Sequence, residues 1–249
     1  MKLTGNVVLI TGGATGIGYA LAKKLREKEN TVIICGRREQ RLREAEQSIA
    51  GIITMVCDVS TASGREHLFQ DVTREHPNVN VVINNAGIQR DIDFTTTNEG
   101  WDTLSSEIRI NLDAPIHLSQ LFIAHLRQQK DPAIIQVSSG LGFTPSARTP
   151  IYCATKAALH TFSATLRHQL RNTGIEVIEF IPPAVDSELN LESRVRRGFT
   201  KTGVTAEEFV DAMLAGIEQG QNEIGYGTTA KASQLSAEER DAIFARMNP

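Results

Sequence analysis

A single doubly wound α/β domain, its mainly parallel sheet flanked by helices on both faces, is the fold this sequence predicts. Three observations carry the prediction. Short apolar, β-branched runs alternate with helical stretches from end to end, as expected for parallel strands covered on both faces. A glycine-rich turn, TGGATGIG at 11–18, follows the first run directly and leads into a helical pattern. The 249 residues contain neither a repeat nor a low-complexity linker, so 1–249 reads as one domain.

The strands are expected at 6–10, 31–35, 52–56, 80–83, 133–137 and 175–181. Helices are expected at 17–28, 38–49, 64–76, 100–128 and 150–171. Ser63 with Glu66 has the spacing of a capping box for the third helix, and Thr205/Glu208 and Ser236/Glu239 open two more helices later on. Right-handed crossovers between successive strands follow from this order.

The first turn places glycines at 12, 13, 16 and 18 ahead of a helix. The backbone of Gly12, Thr15, Gly16, Ile17 and Gly18 is thereby suited to approach a pyrophosphate, with the helix dipole favouring its charge. The turn is not G-x-G-x-x-G, because position 21 is Leu, and Tyr19 and Ala20 stand where a P-loop needs Lys and Ser/Thr. The second strand ends in Cys35-Gly36-Arg37-Arg38, with no acidic residue to bind a ribose 2′-hydroxyl. Two guanidinium groups suit a 2′-phosphate instead, so NADP (NADPH) is favoured over NAD, with Arg37 the principal contact and Arg38 the lesser. A solvated basic loop continued by Arg41 and Arg43 would explain the same residues.

At the end of the third strand Asp58, followed by Val59, either accepts from an adenine amino group or caps the next turn. Asn84-Asn85-Ala86-Gly87 ends the fourth strand with small residues suited to close backbone approach. Asn111 sits inside an apolar helical stretch, and Pro115 four residues on predicts a distorted helix there.

The stretch 138–156 carries the chemistry. Tyr152 and Lys156 lie one helical turn apart on one face, and Pro150 is placed to start their helix. An ammonium group favours phenol ionisation. Bringing a pKa of about 10 to neutrality, however, needs roughly 4 kcal/mol, so a second positive charge would help. Ser139 adds a hydroxyl that would hold a substrate oxygen beside the phenol. Taken alone, the Tyr–Lys pair is explained as well by a solvated helix surface.

Composition excludes several classes. A net charge of −3 gives no reason to expect nucleic acid or an anionic membrane as partner. No stretch approaches the ~18 apolar residues of a membrane span, and the N-terminal apolar run is too short for a signal peptide; a cytoplasmic protein is expected. Cys35, Cys57 and Cys153 are too scattered for a disulfide framework or a zinc site. Cys153 abuts Tyr152, with His160 about two turns away, but packing explains it better than nucleophilic chemistry.

In this order the glycine turn, Asp58, Asn84-Asn85-Ala86-Gly87, Asn111, Ser139 and the Tyr152/Lys156 pair resemble the short-chain dehydrogenase/reductase family, over roughly residues 4–229. The resemblance implies a Rossmann-type fold and nicotinamide-dependent oxidation or reduction of a small-molecule alcohol or carbonyl. It makes Tyr152 the general acid–base and Ser139 the group that polarises the substrate oxygen. Lys156 would hold the nicotinamide ribose and lower the tyrosine pKa, with the oxidised nicotinamide as the second charge. Asn111 would anchor a water in a proton relay. Pro182, Val185 and Ser187, together with Asn85, Ala86 and Gly87, would be cofactor contacts, with Val185 in the usual place for a contact to the carboxamide. Where the family usually has Pro-Gly this chain has Pro182-Pro183, so the backbone beside the nicotinamide is expected to differ. The segment PPAVDSEL, with NNAGIQR and SSGLGF, is similar to the bacterial DltE-like branch, whose name implies no particular reaction.

The polar segment 188–204 stands where the family carries a substrate lid, and a helical tail is expected near 236–248 with Ile243, Phe244 and Met247 for packing. Leu159, Phe162, Leu166 and Leu170 present an apolar face that fits a homodimer or homotetramer contact or packing within the monomer. Two other functions compete with catalysis on an alcohol or ketone. One is a non-catalytic NADP-binding redox sensor; the other is a sugar-nucleotide epimerase or dehydratase, whose relatives have a longer C-terminal region.

Overall fold

The computed structural model describes residues 1–248. Among the described residues, seven strands form one all-parallel sheet in the order β3-β2-β1-β4-β5-β6-β7. They are β1 Val7–Thr11, β2 Thr31–Gly36, β3 Ile53–Val56, β4 Val81–Asn84, β5 Ala133–Val137, β6 Glu176–Ile181 and β7 Glu223–Gly225. The order reverses between β1 and β4, which opens a crevice at the carboxyl ends of those strands.

β1, β4 and β5 are buried along their whole length, which is why their sequences run apolar without alternation. One face packs under α1 (Gly16–Glu27), α2 (Glu39–Ser48) and α9 (Ala206–Glu218), with Leu21, Leu25, Phe209 and Met213 against Ile10 and Phe180. The other packs under α3 (Ala62–Glu75), α6 (Ala114–Leu126) and α7 (Pro150–Leu170). There Phe69 and Phe122 meet edge to face at 5.0 Å, a geometry worth about 1 kcal/mol beyond burial.

All six expected strands form, and β7 is an addition. Its three residues lie between polar turns and are too few to show periodicity. The third helix begins at Ala62 rather than 64, and its cap is Thr61, whose hydroxyl accepts from Gly64 N–H at 3.1 Å; the Ser63/Glu66 capping box does not form. The boxes at Thr205/Glu208 and at Ser236/Glu239, which opens α10 (Ala237–Met247), both form.

The stretch expected as one helix over 100–128 is broken into α4 (Trp101–Leu104), α5 (Ser106–Ile108), a π-helical turn at Arg109–Asp113 and α6. Pro115 has no N–H to return to the Asn111 carbonyl, and the wider turn absorbs that loss around Asn111. Within 188–204 the chain forms a short helix, α8 (Leu191–Arg196). Leu159, Leu166 and Leu170 are buried within the monomer, and Phe162 packs against the same core, so these residues supply no free face for an oligomer. No helix among the described residues is long and apolar enough to cross a membrane.

Candidate active site

The strand ends bring most of the sequence-marked residues to one cleft of about 1520 Å³; Gly18, Asp58 and Asn111 lie off its lining. Thr11 closes β1; its hydroxyl accepts from Asn85 N–H at 3.0 Å and Ala86 N–H at 3.1 Å. Asn85 Nδ2 donates in return to the carbonyls of Thr11 and Gly12. The Asn85 amide therefore braces two loops across the switch point, and its backbone rather than its side chain is left to face a ligand. Thr11 carries this brace and was not singled out from sequence; a hydroxyl at a strand end has no distinctive pattern.

Gly12 and Gly16 adopt φ of +65° and +56°, where a side chain is strained. Gly18 serves packing: a Cβ there would lie 2.4 Å from the Gly12 carbonyl oxygen and 2.5 Å from Asn85 Nδ2. Gly12, Thr15, Gly16 and Ile17 line the cleft, and the N-terminus of α1 has no side-chain cap for its first N–H groups. These donors and the close-packed glycines suit a pyrophosphate.

At the end of β2, Arg37 is exposed and has no ion pair among the described residues. Arg38 is engaged otherwise: its guanidinium meets Glu188 at 2.7 Å and the Thr15 hydroxyl at 3.1 Å, and Arg41 holds the other Glu188 oxygen at 2.6 Å. Arg43 pairs with Glu39. Asp58 takes the turn-capping alternative, with Oδ1 accepting from Ser60 N–H at 2.9 Å, while Cys57 and Val59 on either side line the cleft. Burial raises the Asp58 carboxyl, but the Ser60 hydrogen bonds and the nearby Arg37 charge leave it below its ordinary value.

Asn111 is fully buried. Its Oδ1 accepts from Ile88 N–H at 2.9 Å and its Nδ2 donates to the Ile88 carbonyl at 2.8 Å, so the side chain clamps the loop after β4. Gly87 sits beside both Asn111 and Lys156: a Cβ there would come 3.8 Å from Lys156 Nζ. Glu107, also fully buried, accepts from Arg90 N–H at 2.8 Å through Oε1; its Oε2 has no partner among the described residues. Burial pushes this carboxyl up to about 7 against the pull of Arg90.

Ser139 ends β5's extension and caps the turn Gly140–Gly142, accepting from Leu141 N–H. That turn lies hard against α7, since a Cβ on Gly142 would be 2.9 Å from the Lys156 carbonyl carbon. Pro150 opens α7, which presents Tyr152 and Lys156, both buried, to the cleft. Lys156 Nζ donates to the Val137 carbonyl at 2.7 Å and stands 5.7 Å from the Tyr152 ring centre. Burial lowers the Lys156 ammonium to about 8. On balance the protein raises the phenol: burial pushes Tyr152 up to about 12, against the Ser139 hydroxyl pulling the other way. Lys156, bonded to a backbone carbonyl, leaves the phenol essentially protonated at neutral pH. Cys153 is occupied with Ser146 and Thr149, and His160 with Glu179, so the two form no nucleophile–base pair.

Pro182, Pro183, Val185 and Ser187 line the opposite wall. The Pro182 carbonyl accepts from Gly140 N–H at 3.0 Å, which fixes this wall to the Ser139 turn. The segment after it docks on Asp91, which accepts from Asn190 Nδ2 and Ser193 Oγ and lies 3.5 Å from Arg197. Asp91 went unmarked in sequence because its partners lie about a hundred residues away. Ile243 and Met247 of α10 also reach the cleft, while Phe244 faces solvent.

Comparison with known proteins agrees with this architecture. Residues 6–198 match the short chain dehydrogenase family model, and the chain belongs to that family of oxidoreductase enzymes. It is 50% identical over 248 residues, 100% of this chain and 98% of the relative, to the uncharacterized oxidoreductase DltE of Bacillus subtilis (strain 168). An uncharacterized oxidoreductase of Staphylococcus epidermidis is 33% identical over 76% of this chain and 81% of its own length. Among solved structures, a short chain dehydrogenase of Burkholderia cenocepacia in complex with NADP superposes with a TM-score of 0.83 at 24% identity, covering 99% of both chains. A Burkholderia phymatum short chain dehydrogenase/reductase in complex with NAD gives 0.86 at 19% identity, covering 97% of this chain and 96% of that one.

Proposed function

We propose that this protein is an NADP-dependent oxidoreductase that interconverts a secondary alcohol and a ketone of a small molecule. The observation that carries the reading is the burial of Ser139, Tyr152 and Lys156 together on one wall of the cleft that also holds the glycine turn. The nicotinamide supplies the hydride donor or acceptor. Tyr152 gives a proton to the substrate oxygen in reduction and takes it back in oxidation. In the free protein the phenol is protonated at neutral pH, as the donor role requires, and the positive charges of Lys156 and the oxidised nicotinamide would lower its proton affinity. Ser139 holds that oxygen beside the phenol, and Lys156 holds ribose hydroxyls and contributes positive charge. Asn111 keeps the loop at Gly87 and Ile88 in place and lies in the widened helical turn, where it would anchor the relay water.

Arg37 supports NADP over NAD, since it is the cation at the end of β2 that no carboxylate engages. The family relatives crystallised with NADP, NADPH, NAD and NADH fit either cofactor. The complete buried set argues against a purely binding sensor, which needs no proton donor. Cytoplasmic location and a homodimer or homotetramer remain parts of this reading. The test is Tyr152→Phe with a panel of ketones and aldehydes: NADPH binding should persist and turnover should vanish. Wild-type carbonyl reduction by that variant would overturn the assignment.

A further inference from the structure

A second set of ionisable side chains lies behind the cleft wall. Glu179 in β6 is wholly buried. His160, one turn beyond Lys156 on α7, places Nδ1 2.8 Å from Glu179 Oε2. The same imidazole packs on Phe143 at 4.5 Å between ring centres, and Phe143 packs with Ile181 and Ala232 just after the Ser139 turn. Glu179 Oε1 has no partner among the described residues. Lys156, one turn earlier on the same helix, donates to the carbonyl of Val137 in β5, which pairs in register with Phe180, the residue after Glu179. A buried carboxylate with one oxygen free is poorly screened, so its charge acts on cations beyond hydrogen-bond distance, Lys156 among them.

We propose that Glu179 is a positioning residue for Lys156: its buried negative charge keeps the lysine an ammonium, while His160 orients the carboxylate and braces Phe143 behind Ser139. This rests on the reading of Lys156 as the group that holds the cofactor ribose. The electrostatics run the same way. Burial lowers Lys156, and Glu179 is the group that pulls it back up. The Glu179 hydrogen bond holds His160 above its ordinary 6.5, against burial and Arg167, with Glu223 adding to the rise. These are the charged groups around the imidazole: Glu179 from β6, Glu223 from β7, and Arg167 from its own helix. As pH falls, His160 takes a proton and cancels part of Glu179's pull. As pH rises through that titration, the bare carboxylate holds Lys156 charged further into the alkaline range. His160, Glu179 and Glu223 lie close enough to suggest a cation site, but Arg167, 3.2 Å from Glu223, already supplies the positive charge there.

The test is NADPH binding, followed by fluorescence across about pH 6 to 10, for wild type, Glu179→Gln, His160→Gln and Lys156→Met, with circular dichroism to establish folding. The wild-type affinity should fall at alkaline pH with the lysine. In Glu179→Gln that midpoint should move down by about one unit, about tenfold weaker binding in the intervening range. In His160→Gln the alkaline midpoint should persist, and the inflection caused by imidazole titration should disappear. A folded Glu179→Gln with the wild-type midpoint overturns the proposal. If Glu179→Gln does not fold, a His160→Gln curve identical to wild type overturns it instead. Lys156→Met separates the two levels of inference: wild-type binding by that variant sinks the reading of Lys156, whereas its failure alongside an unshifted Glu179→Gln sinks only the role of Glu179.

Discussion

Replacing Glu107 with glutamine should stabilise the protein above neutral pH and change little at pH 5. Glu107 is fully buried, with one oxygen bonded to Arg90 N–H and the other unpaired. Burial raises its carboxyl from 4.5 to about 7 in the folded chain. The sign follows from linkage. A carboxyl raised on folding imposes no penalty below its unfolded pKa. The penalty grows as pH rises toward the folded value and is complete above it. At about 1.4 kcal/mol per unit, the shift from 4.5 to about 7 sets a ceiling of about 3 kcal/mol lost by pH 8. Glutamine keeps the acceptor for Arg90 but buries an N–H₂ without a partner, which costs about 1 kcal/mol. The net gain should therefore be about 1 to 2 kcal/mol at pH 8, or several degrees in Tm for a chain of this size. Thermal melts of both proteins at pH 5 and pH 8 measure it. A difference between them that does not change with pH would refute the reasoning.

Other perturbations test the cofactor side and the scaffold. Arg37→Ala should weaken NADPH binding by about tenfold or more while leaving NADH binding nearly unchanged, since a charged hydrogen bond is worth about 1.5–3 kcal/mol; equal losses for both would remove Arg37 from the 2′-phosphate. Gly18→Ala forces a Cβ to 2.4 Å from the Gly12 carbonyl, so dissociation constants for either nucleotide should rise at least about tenfold, with about 1–3 kcal/mol of stability lost. Thr61→Ala removes the cap of α3 and should cost about 1 kcal/mol in denaturant melts with kcat and KM unchanged, because the cap lies outside the cleft.

The legible parts of this molecule were those whose cause is local. Unbroken apolar runs such as Val7–Thr11 reveal buried parallel strands, and a tyrosine and lysine one turn apart reveal a shared helix face. Pro115 announced the distortion at Asn111 because a missing N–H acts only on its own helix. What stayed hidden depends on partners far along the chain. Arg38 reads as a free cation until Glu188 arrives from the other side of the cleft. Asn85 reads as a ligand contact until Thr11 and Gly12 take its amide. The Tyr152 phenol was expected to be drawn down by Lys156, but burial and the Val137 carbonyl, neither visible in the spacing, decide otherwise.

The grip of Glu188 on both Arg38 and Arg41 has a consequence for redesign. One carboxylate fastens the loop at the end of β2 to the segment that leads into α8. Rewriting residues 37 to 41 to exchange cofactor preference will also release the segment that leads into α8, a change separate from nucleotide affinity. Because these ion pairs are half exposed, added salt should loosen the same fastening without any mutation, so preference measured at one ionic strength will not transfer to another.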